Sequence, residues 1–150
     1  MNFKATSTFT PVAISRAMQS VVPRIVAAVE ESQSAVTDEA QMIAPVGATG
    51  DLVSNIAPGP VSLVGNVVSG TVVSASGHAS FVEFGTGLRG EGTYPYPLPT
   101  ENVPITGSWV YDYKKQNWVG HEAQPYMRAA LDTARPAILD AFAKQGFKIT

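Results

Sequence analysis

The chain contains no cysteine and few charged residues, and each absence excludes a class of function. Without cysteine the protein has neither disulfides nor thiolate metal sites. Charged residues make up 15% of the 150 positions, against roughly a quarter in typical soluble domains. The net charge of −2 excludes a basic domain that binds DNA by neutralising phosphates. A surface poor in charge suits a protein that is partly covered by neighbours, although Ser, Thr, Gly and Asn also solvate a surface.

Long apolar runs are also missing. None approaches the ~20 residues that span a bilayer, and residues 1–6 lack the charged-then-apolar layout of a signal peptide. We therefore expect a protein with no membrane contact that is made in a cytoplasm. A length of 150 residues predicts a single domain over residues 1–150.

The motifs of common enzymes do not occur. There is no Gly-x-Ser-x-Gly elbow, no His-Glu-x-x-His zinc motif and no acidic calcium loop. The two histidines are His78 and His121, and hydrogen bonding at a surface or interface is favoured over a catalytic or metal role for either. We expect no enzyme activity, no catalytic or metal-binding residues and no cofactor.

Gly85, Gly87 and Gly90 match the Gly-x-Gly-x-x-Gly pattern of dinucleotide sites. Such a site needs a helix directly after the glycines, so that its N-terminal N–H groups meet the pyrophosphate. The following residues, Glu-Gly-Thr-Tyr-Pro-Tyr-Pro, do not favour a helix. We therefore interpret the match as accidental and expect no nucleotide to bind.

Apolar periodicity predicts helices at both ends of the chain. A short helix begins at Thr10-Pro11, and a longer amphipathic helix spans residues 23–43, because Pro23 favours a helix start over a helix interior. Its apolar stripe is expected to pack on a sheet, with the charged residues, Gln33 and Gln41 largely on the other side. Residues 126–144 form another amphipathic helix, with strain at Pro136.

The middle of the chain has the composition of strands and loops. Valine-rich segments over residues 61–73 and the run 79–84 predict an antiparallel meander. Residues 88–104 form a Gly/Pro/Tyr loop, and residues 109–119 are typical of a β-hairpin. The fold class is α+β: a long amphipathic helix and a C-terminal helix packed on an antiparallel sheet, with an inserted loop and hairpin over about residues 88–123.

Two short motifs are the most informative part of the sequence. The first is Ala79-Ser-Phe-Val-Glu83-Phe84-Gly85-Thr86-Gly87, and the second is Pro125-Tyr126-Met-Arg128-Ala-Ala-Leu131. The pair resembles the signature of tail-completion or head–tail joining proteins of long-tailed bacteriophages. The segment Ala44-Pro45…Thr49-Gly50…Leu52…Ser54…Ile56 also resembles a linking motif of that family. His78, Tyr126 and Ala129 depart from the usual Tyr, Phe and Pro.

The resemblance implies a structural protein of the virion, located at the neck or tail end and assembled in the host cytoplasm. It implies a homo-oligomeric ring, with a hexamer favoured, that completes the tail and joins it to the filled head. Other partners would be an adaptor or stopper, a terminator or the tail tube. Double-stranded DNA would pass through the lumen without sequence recognition. A tail terminator or another neck connector is the alternative.

Glu83 is the acidic residue of greatest interest, because it lies within an apolar run. One interpretation is a structural carboxylate that accepts hydrogen bonds from the Gly85–Gly87 turn or pairs with Arg128. The other is a charge paired with a neighbouring subunit.

Aromatic side chains are concentrated in the inserted segment, at Tyr94, Tyr96, Trp109, Tyr111, Tyr113 and Trp118. They suit a local core beneath a long loop or a protein interface, where such residues are enriched. A carbohydrate-binding module is the remoter alternative, which a planar row of exposed rings would favour. The candidate structural and interface residues are Glu83, Phe84, Gly85, Thr86, Gly87, Tyr94, Tyr96, Trp109, Trp118, Pro125, Tyr126 and Arg128.

Overall fold

A computed structural model describes residues 11–90, 92–97 and 120–148. Its longest element is α1 (Pro11–Ile43), which packs against a two-stranded ribbon and the C-terminal helices. The predicted α+β class is confirmed by this long helix, small antiparallel sheets and the C-terminal helices. The predicted hairpin over residues 109–119, with Trp109 and Trp118, lies outside the described residues.

The predicted break at Pro23 is wrong, because Pro23 lies inside the continuous helix α1. A proline in a helix interior removes one backbone hydrogen bond. The side-chain contacts of the following turns offset this loss: Ala28 and Ala40 are both fully buried. Tertiary packing thus outweighs the local preference of proline.

The buried face of α1 is also more polar than predicted. Ile43 is 41% exposed, whereas Gln33 is buried. The Gln33 amide donates to the carbonyl oxygens of Gly59 (2.9 Å) and Thr71 (2.6 Å), and Gln41 donates to the carbonyl of Ile56 (3.0 Å). These two glutamines face the ribbon because they satisfy backbone carbonyls that the strands leave open.

The strands form one interrupted ribbon instead of the predicted meander. β1 (Ile56–Pro58) pairs with β4 (Val72–Ser74), and β2 (Ser62–Val64) pairs with β3 (Val67–Ser69), both antiparallel. The β2–β3 hairpin is thus nested inside the β1–β4 pair. The interruption lies at Gly59 and Thr71, where Gln33 contacts both strands. A short helix, α2 (Asp51–Ser54), precedes the ribbon.

The predicted strand over residues 79–84 is wrong, because these residues form the helix α3 (Ala79–Phe84). The run of Phe, Val and Phe has strand propensity, but such propensity depends strongly on context. Here Ala79 and Val82 pack against the core, a spacing of three that only a helix places on one face. Gly85, at φ 79°, ends the helix, and one further helical turn follows as α4 (Gly87–Gly90).

The predicted C-terminal helix is two helices, α5 (Tyr126–Thr133) and α6 (Arg135–Lys144), which meet at Ala134. Pro136 explains the interruption, since it lacks the N–H that would bond the preceding turn. The central core comprises α1, α2, β1 and α5 residues: Ala40, Ala44, Leu52, Ile56, Tyr126 and Ala130. No helix within the described ranges is long and apolar enough to cross a membrane.

Candidate functional site: the junction of the two motifs

The two sequence motifs meet at the carboxylate of Glu83, which is 6% exposed. Its Oε2 accepts a hydrogen bond from the backbone N–H of Met127 (2.9 Å), and its Oε1 accepts from that of Arg128 (3.3 Å). Glu83 lies in the last turn of α3 (Ala79–Phe84), and these two N–H groups lie in the first turn of α5. The carboxylate therefore joins two elements that lie 44 and 45 residues apart in the chain.

Glu83 acts as an N-terminal cap for α5. The first N–H groups of a helix have no partner within it, and a negative charge is favourable at this positive end of the helix dipole. Pro125, at the N-cap position, makes no side-chain hydrogen bond to the helix. Glu83 supplies from a distant element the acceptor that Pro125 lacks.

A third donor to Glu83 comes from the start of the inserted segment. The hydroxyl of Tyr94 donates to Glu83 Oε1 (3.3 Å). Burial, followed by the adjacent Glu83 charge and this hydrogen bond, raises the pKa of Tyr94 to about 12. Tyr94 therefore stays protonated and remains a donor at all physiological pH values.

The predicted partners of Glu83 within the chain need correction, whereas its pairing with a neighbouring subunit stays a prediction. The carboxylate accepts hydrogen bonds from the second motif and Tyr94, rather than from the Gly85–Gly87 turn. The Arg128 side chain pairs instead with Asp132, one helical turn on (3.6 Å). Arg128 therefore contacts the Glu83 carboxylate through its backbone N–H, whereas its guanidinium pairs with Asp132.

Aromatic rings cover the junction on one side. Phe84 and Tyr94 have ring centroids 4.8 Å apart, and Tyr94 and Tyr96 have centroids 5.6 Å apart. The Arg128 guanidinium lies 5.3 Å from the Tyr96 centroid, within the range of a cation–π contact. Successive rings are inclined by 63° and 62°. The aromatic rings in the described part of the chain therefore do not form a planar row.

Beyond Glu83, backbone pairing fastens the Gly-Thr-Gly turn to the segment before α5. Thr86 and His121 form an antiparallel bridge, with N–H to carbonyl distances of 2.9 and 3.1 Å. Gln124 N–H also donates to the carbonyl of Val82 (2.8 Å). The Gly-Thr-Gly turn thus has a structural role.

Close backbone contact explains the glycines at this bridge. A Cβ on Gly120 would overlap the carbonyl oxygen of Thr86, and the φ of 90° at Gly120 disfavours any other residue. A Cβ on Gly85 would lie 2.7 Å from the Ala123 nitrogen. The predicted residues Gly85, Thr86 and Gly87 therefore belong to the same junction as Pro125 and Tyr126.

Thr93 extends the junction, although it belongs to neither motif. Its hydroxyl donates to the Gly90 carbonyl (2.9 Å) and accepts from the Ala123 N–H (2.8 Å). Gly120 was missed for a similar reason, because both residues lie outside the two motifs. The signal that could have found Thr93 is the density of Gly, Thr and Tyr directly after the first motif, and no comparable signal marks Gly120.

Tyr126 anchors the second motif in the core at 1% exposure. Burial raises the pKa of its hydroxyl, and the adjacent Ser74 has a smaller opposing effect. The family motif has an aromatic residue at this position. Here that residue packs in the central core with Ala40 and Ile56.

His78 belongs to a separate polar cluster with Asp51 and Ser76. The Ser76 hydroxyl donates to Asp51 Oδ2 (2.6 Å) and lies 2.9 Å from His78 Nδ1. Because the hydroxyl proton goes to the carboxylate, His78 is placed to donate to Ser76 and not to activate it as a nucleophile. Within residues 11–90, 92–97 and 120–148, no group of three or more His, Asp or Glu residues is placed to hold a metal ion.

A comparison with known protein families matches part of the chain. Residues 13–85 match the family described as "Bacteriophage HK97-gp10, putative tail-component". Neither the curated proteins nor the solved structures gave a significant match. The family match covers α1, the ribbon and Glu83 to Gly85, whereas the resemblance of the second motif remains a prediction.

The resemblance inferred from the motifs is confirmed over that segment. A family of phage tail components supports a structural role in the virion and contact with other tail proteins. Residues 13–85, from α1 to the glycine that ends α3, are similar in sequence to a phage tail-component family.

Proposed function

We propose that this protein completes the tail of a long-tailed phage and joins it to the filled head, as one subunit of a ring at the neck. The observation that carries this proposal is the family match over residues 13–85. The buried Glu83 junction supports it, because it unites the two motifs on which the joining-protein resemblance depends. The inserted segment, residues 88–123, would contact neighbouring chains.

Ring formation is supported by the uncharged, apolar surface of the ribbon. No Asp, Glu, Lys or Arg occurs between Asp51 and Glu83, and Val64 and Val67 are 74% and 58% exposed. Exposed apolar patches of this kind are typical of interaction sites. Identical subunits with two different complementary surfaces close into a ring when the rotation between neighbours allows closure, and the family resemblance favours six-fold symmetry.

The role we propose is assembly without catalysis. Glu83, the most deeply buried acid among the residues that the structure describes, is engaged by three hydrogen-bond donors, and the Ser76 hydroxyl donates to a carboxylate. The Glu83 carboxylate and the Ser76 hydroxyl therefore both make hydrogen bonds that stabilise the fold. The net charge of −2 is compatible with DNA that passes the ring without binding to it.

Disruption of the gene distinguishes joining from termination of the tail. A joining protein predicts filled heads and separate tails of normal length in electron micrographs of the lysate. A terminator predicts tails of abnormal length, since nothing then stops growth of the tube. Intact particles in normal numbers would contradict both roles.

The carbohydrate-binding alternative has less support. Stacking on a sugar favours exposed rings in one plane, but Tyr94 and Tyr96 are inclined by 62°. Tyr94 is also engaged with Glu83. Binding of the purified protein to a glycan array would revive this alternative.

A further inference from the structure

The tip of the ribbon is an exposed apolar knob. At the β2–β3 turn, Leu63, Val64 and Val67 are 51%, 74% and 58% exposed. Gly65, at φ 62°, allows the tight reversal between the strands. With no charged side chain on either strand, this tip can be buried without desolvating a charge.

A concave apolar groove, in contrast to the convex tip, lies between α1, β4 and the C-terminal helices. Its volume is about 400 Å³, and none of the described residues that line it is charged. The main apolar side chains that line it are Val29, Val36, Met127, Leu131, Ile138 and Phe142. Leu131 is 43% exposed, so the groove is open to an incoming group.

The tip cannot occupy the groove of its own subunit. Gly70, Thr71 and Val72 of the same ribbon form one wall of the groove. The reversal at Gly65 lies at the other end of the paired strands, whose register is fixed by pairs such as Leu63 with Val68. The knob and the groove therefore face different neighbours.

We propose that the ribbon tip of one subunit inserts into the groove of the next copy of this chain. The inference rests on the proposed ring, and it specifies the contact that closes the ring. A closed heterologous ring requires two different complementary surfaces on every subunit, and this chain carries one convex and one concave surface, both apolar and both uncharged. The two surfaces are therefore compatible in polarity and charge within a single sequence.

A charge exchange tests the contact. The variants are supplied from a plasmid during infection by phage that lack the gene. Val64→Asp and Leu131→Lys should each lower the yield of joined particles by about tenfold or more, the factor that corresponds to about 1.4 kcal/mol. The double variant should recover most of the loss, because the two new charges pair across the interface.

Val46→Asp is the matched control, since Val46 is 79% exposed and lies in neither surface. It should leave the yield unchanged, and thermal melting of the purified variants should show that all four remain folded. Failure of Val64→Asp to reduce joining, or equal loss with Val46→Asp, would overturn the inference. Loss in both single variants without recovery in the double variant would also count against it.

Crosslinking separates this contact from the proposed ring itself. Because the chain lacks cysteine, Val64→Cys and Leu131→Cys together introduce the only thiols. In joined particles, a short bifunctional thiol reagent should give a ladder of covalent oligomers with the double variant, and none with Val64→Cys alone or with Val64→Cys plus Val46→Cys. A missing ladder in particles whose micrographs still show a ring would refute the contact but not the ring; a neck without any ring of this protein would refute both.

Discussion

Glu83 shows how one buried carboxylate connects two distant parts of the chain. It accepts hydrogen bonds from the N–H groups of Met127 and Arg128 and from the Tyr94 hydroxyl. Removing it would leave two N–H groups at the start of α5 without an acceptor, and a buried unsatisfied donor is more costly than the hydrogen bond is favourable. The fold of the second motif therefore depends on a residue of the first.

Replacement of Glu83 by Ala should lower the free energy of unfolding by about 1–3 kcal/mol, the range for lost caps and unsatisfied buried donors. Urea denaturation followed by circular dichroism measures this change. Glu122→Ala is the control, because the Glu122 side chain is exposed and should contribute little. Equal stability of the wild type and Glu83→Ala would show that the cap is unimportant.

The raised pKa of Tyr94 predicts that the protein loses stability at high pH. Its pKa is about 12 in the folded protein, against an ordinary value of 10.0, so the unfolded chain loses this proton first as the pH rises. The contribution of Tyr94 is therefore complete below about pH 10 and is lost between about pH 10 and 12. Tyr126 adds to the same decline, because burial raises its pKa too.

The comparison with Tyr94→Phe isolates this contribution. The variant should be slightly less stable at neutral pH, because it lacks the hydrogen bond to Glu83, and its stability should fall less steeply over the alkaline range. Urea unfolding at several pH values measures both. Parallel profiles of stability against pH for the two proteins would mean that the pKa of Tyr94 is not raised in the folded state.

Gly120 should be intolerant of any side chain. A Cβ would overlap the Thr86 carbonyl at the bridge between the Gly-Thr-Gly turn and the segment before α5. Gly120→Ala should therefore lose soluble, cooperatively melting protein, whereas Gly47→Ala, with nothing within 4 Å of its Cβ, should behave as wild type. A well-folded Gly120→Ala protein would show that this backbone approach is not required.

The helices show where sequence periodicity succeeds and where it fails. The spacing of apolar residues found α1 and the C-terminal helices, because one-sided burial leaves a pattern in the chain. It missed the continuity through Pro23 and the helix at residues 79–84, because contacts from distant elements decide both. The partners of Gln33 and Glu83, Thr71 and Met127, lie 38 and 44 residues away, and no local pattern predicts such pairings.

Pro23 tests the interpretation of α1 as a single helix. Pro23→Ala should restore the missing N–H donor and raise the free energy of unfolding by about 1–3 kcal/mol, since proline is disfavoured in a helix interior. Urea denaturation compares the variant with wild type. A destabilised Pro23→Ala protein would indicate that a bend or boundary at Pro23 is needed.

Taken as a subunit, the protein combines a capped junction with an uncharged apolar ribbon. The motif match selected Glu83, Gly85, Pro125 and Tyr126 as candidate structural or interface residues, and the structure places them at one junction. The pairing partners inside that junction were not predictable, because Thr93 and Gly120 come from outside the motifs. The proposed neck role requires the junction to be intact and the ribbon to be accessible.

The most direct test of this role is joining in vitro. Lysate from phage that lack the gene, containing filled heads and separate tails, is mixed with purified protein, and infectious particles are counted. The wild type and Glu122→Ala should restore infectivity, whereas Glu83→Ala should leave heads and tails separate in micrographs. Infectious particles in the lysate before any addition, or heads and tails that stay separate after wild-type protein is added, would contradict the account.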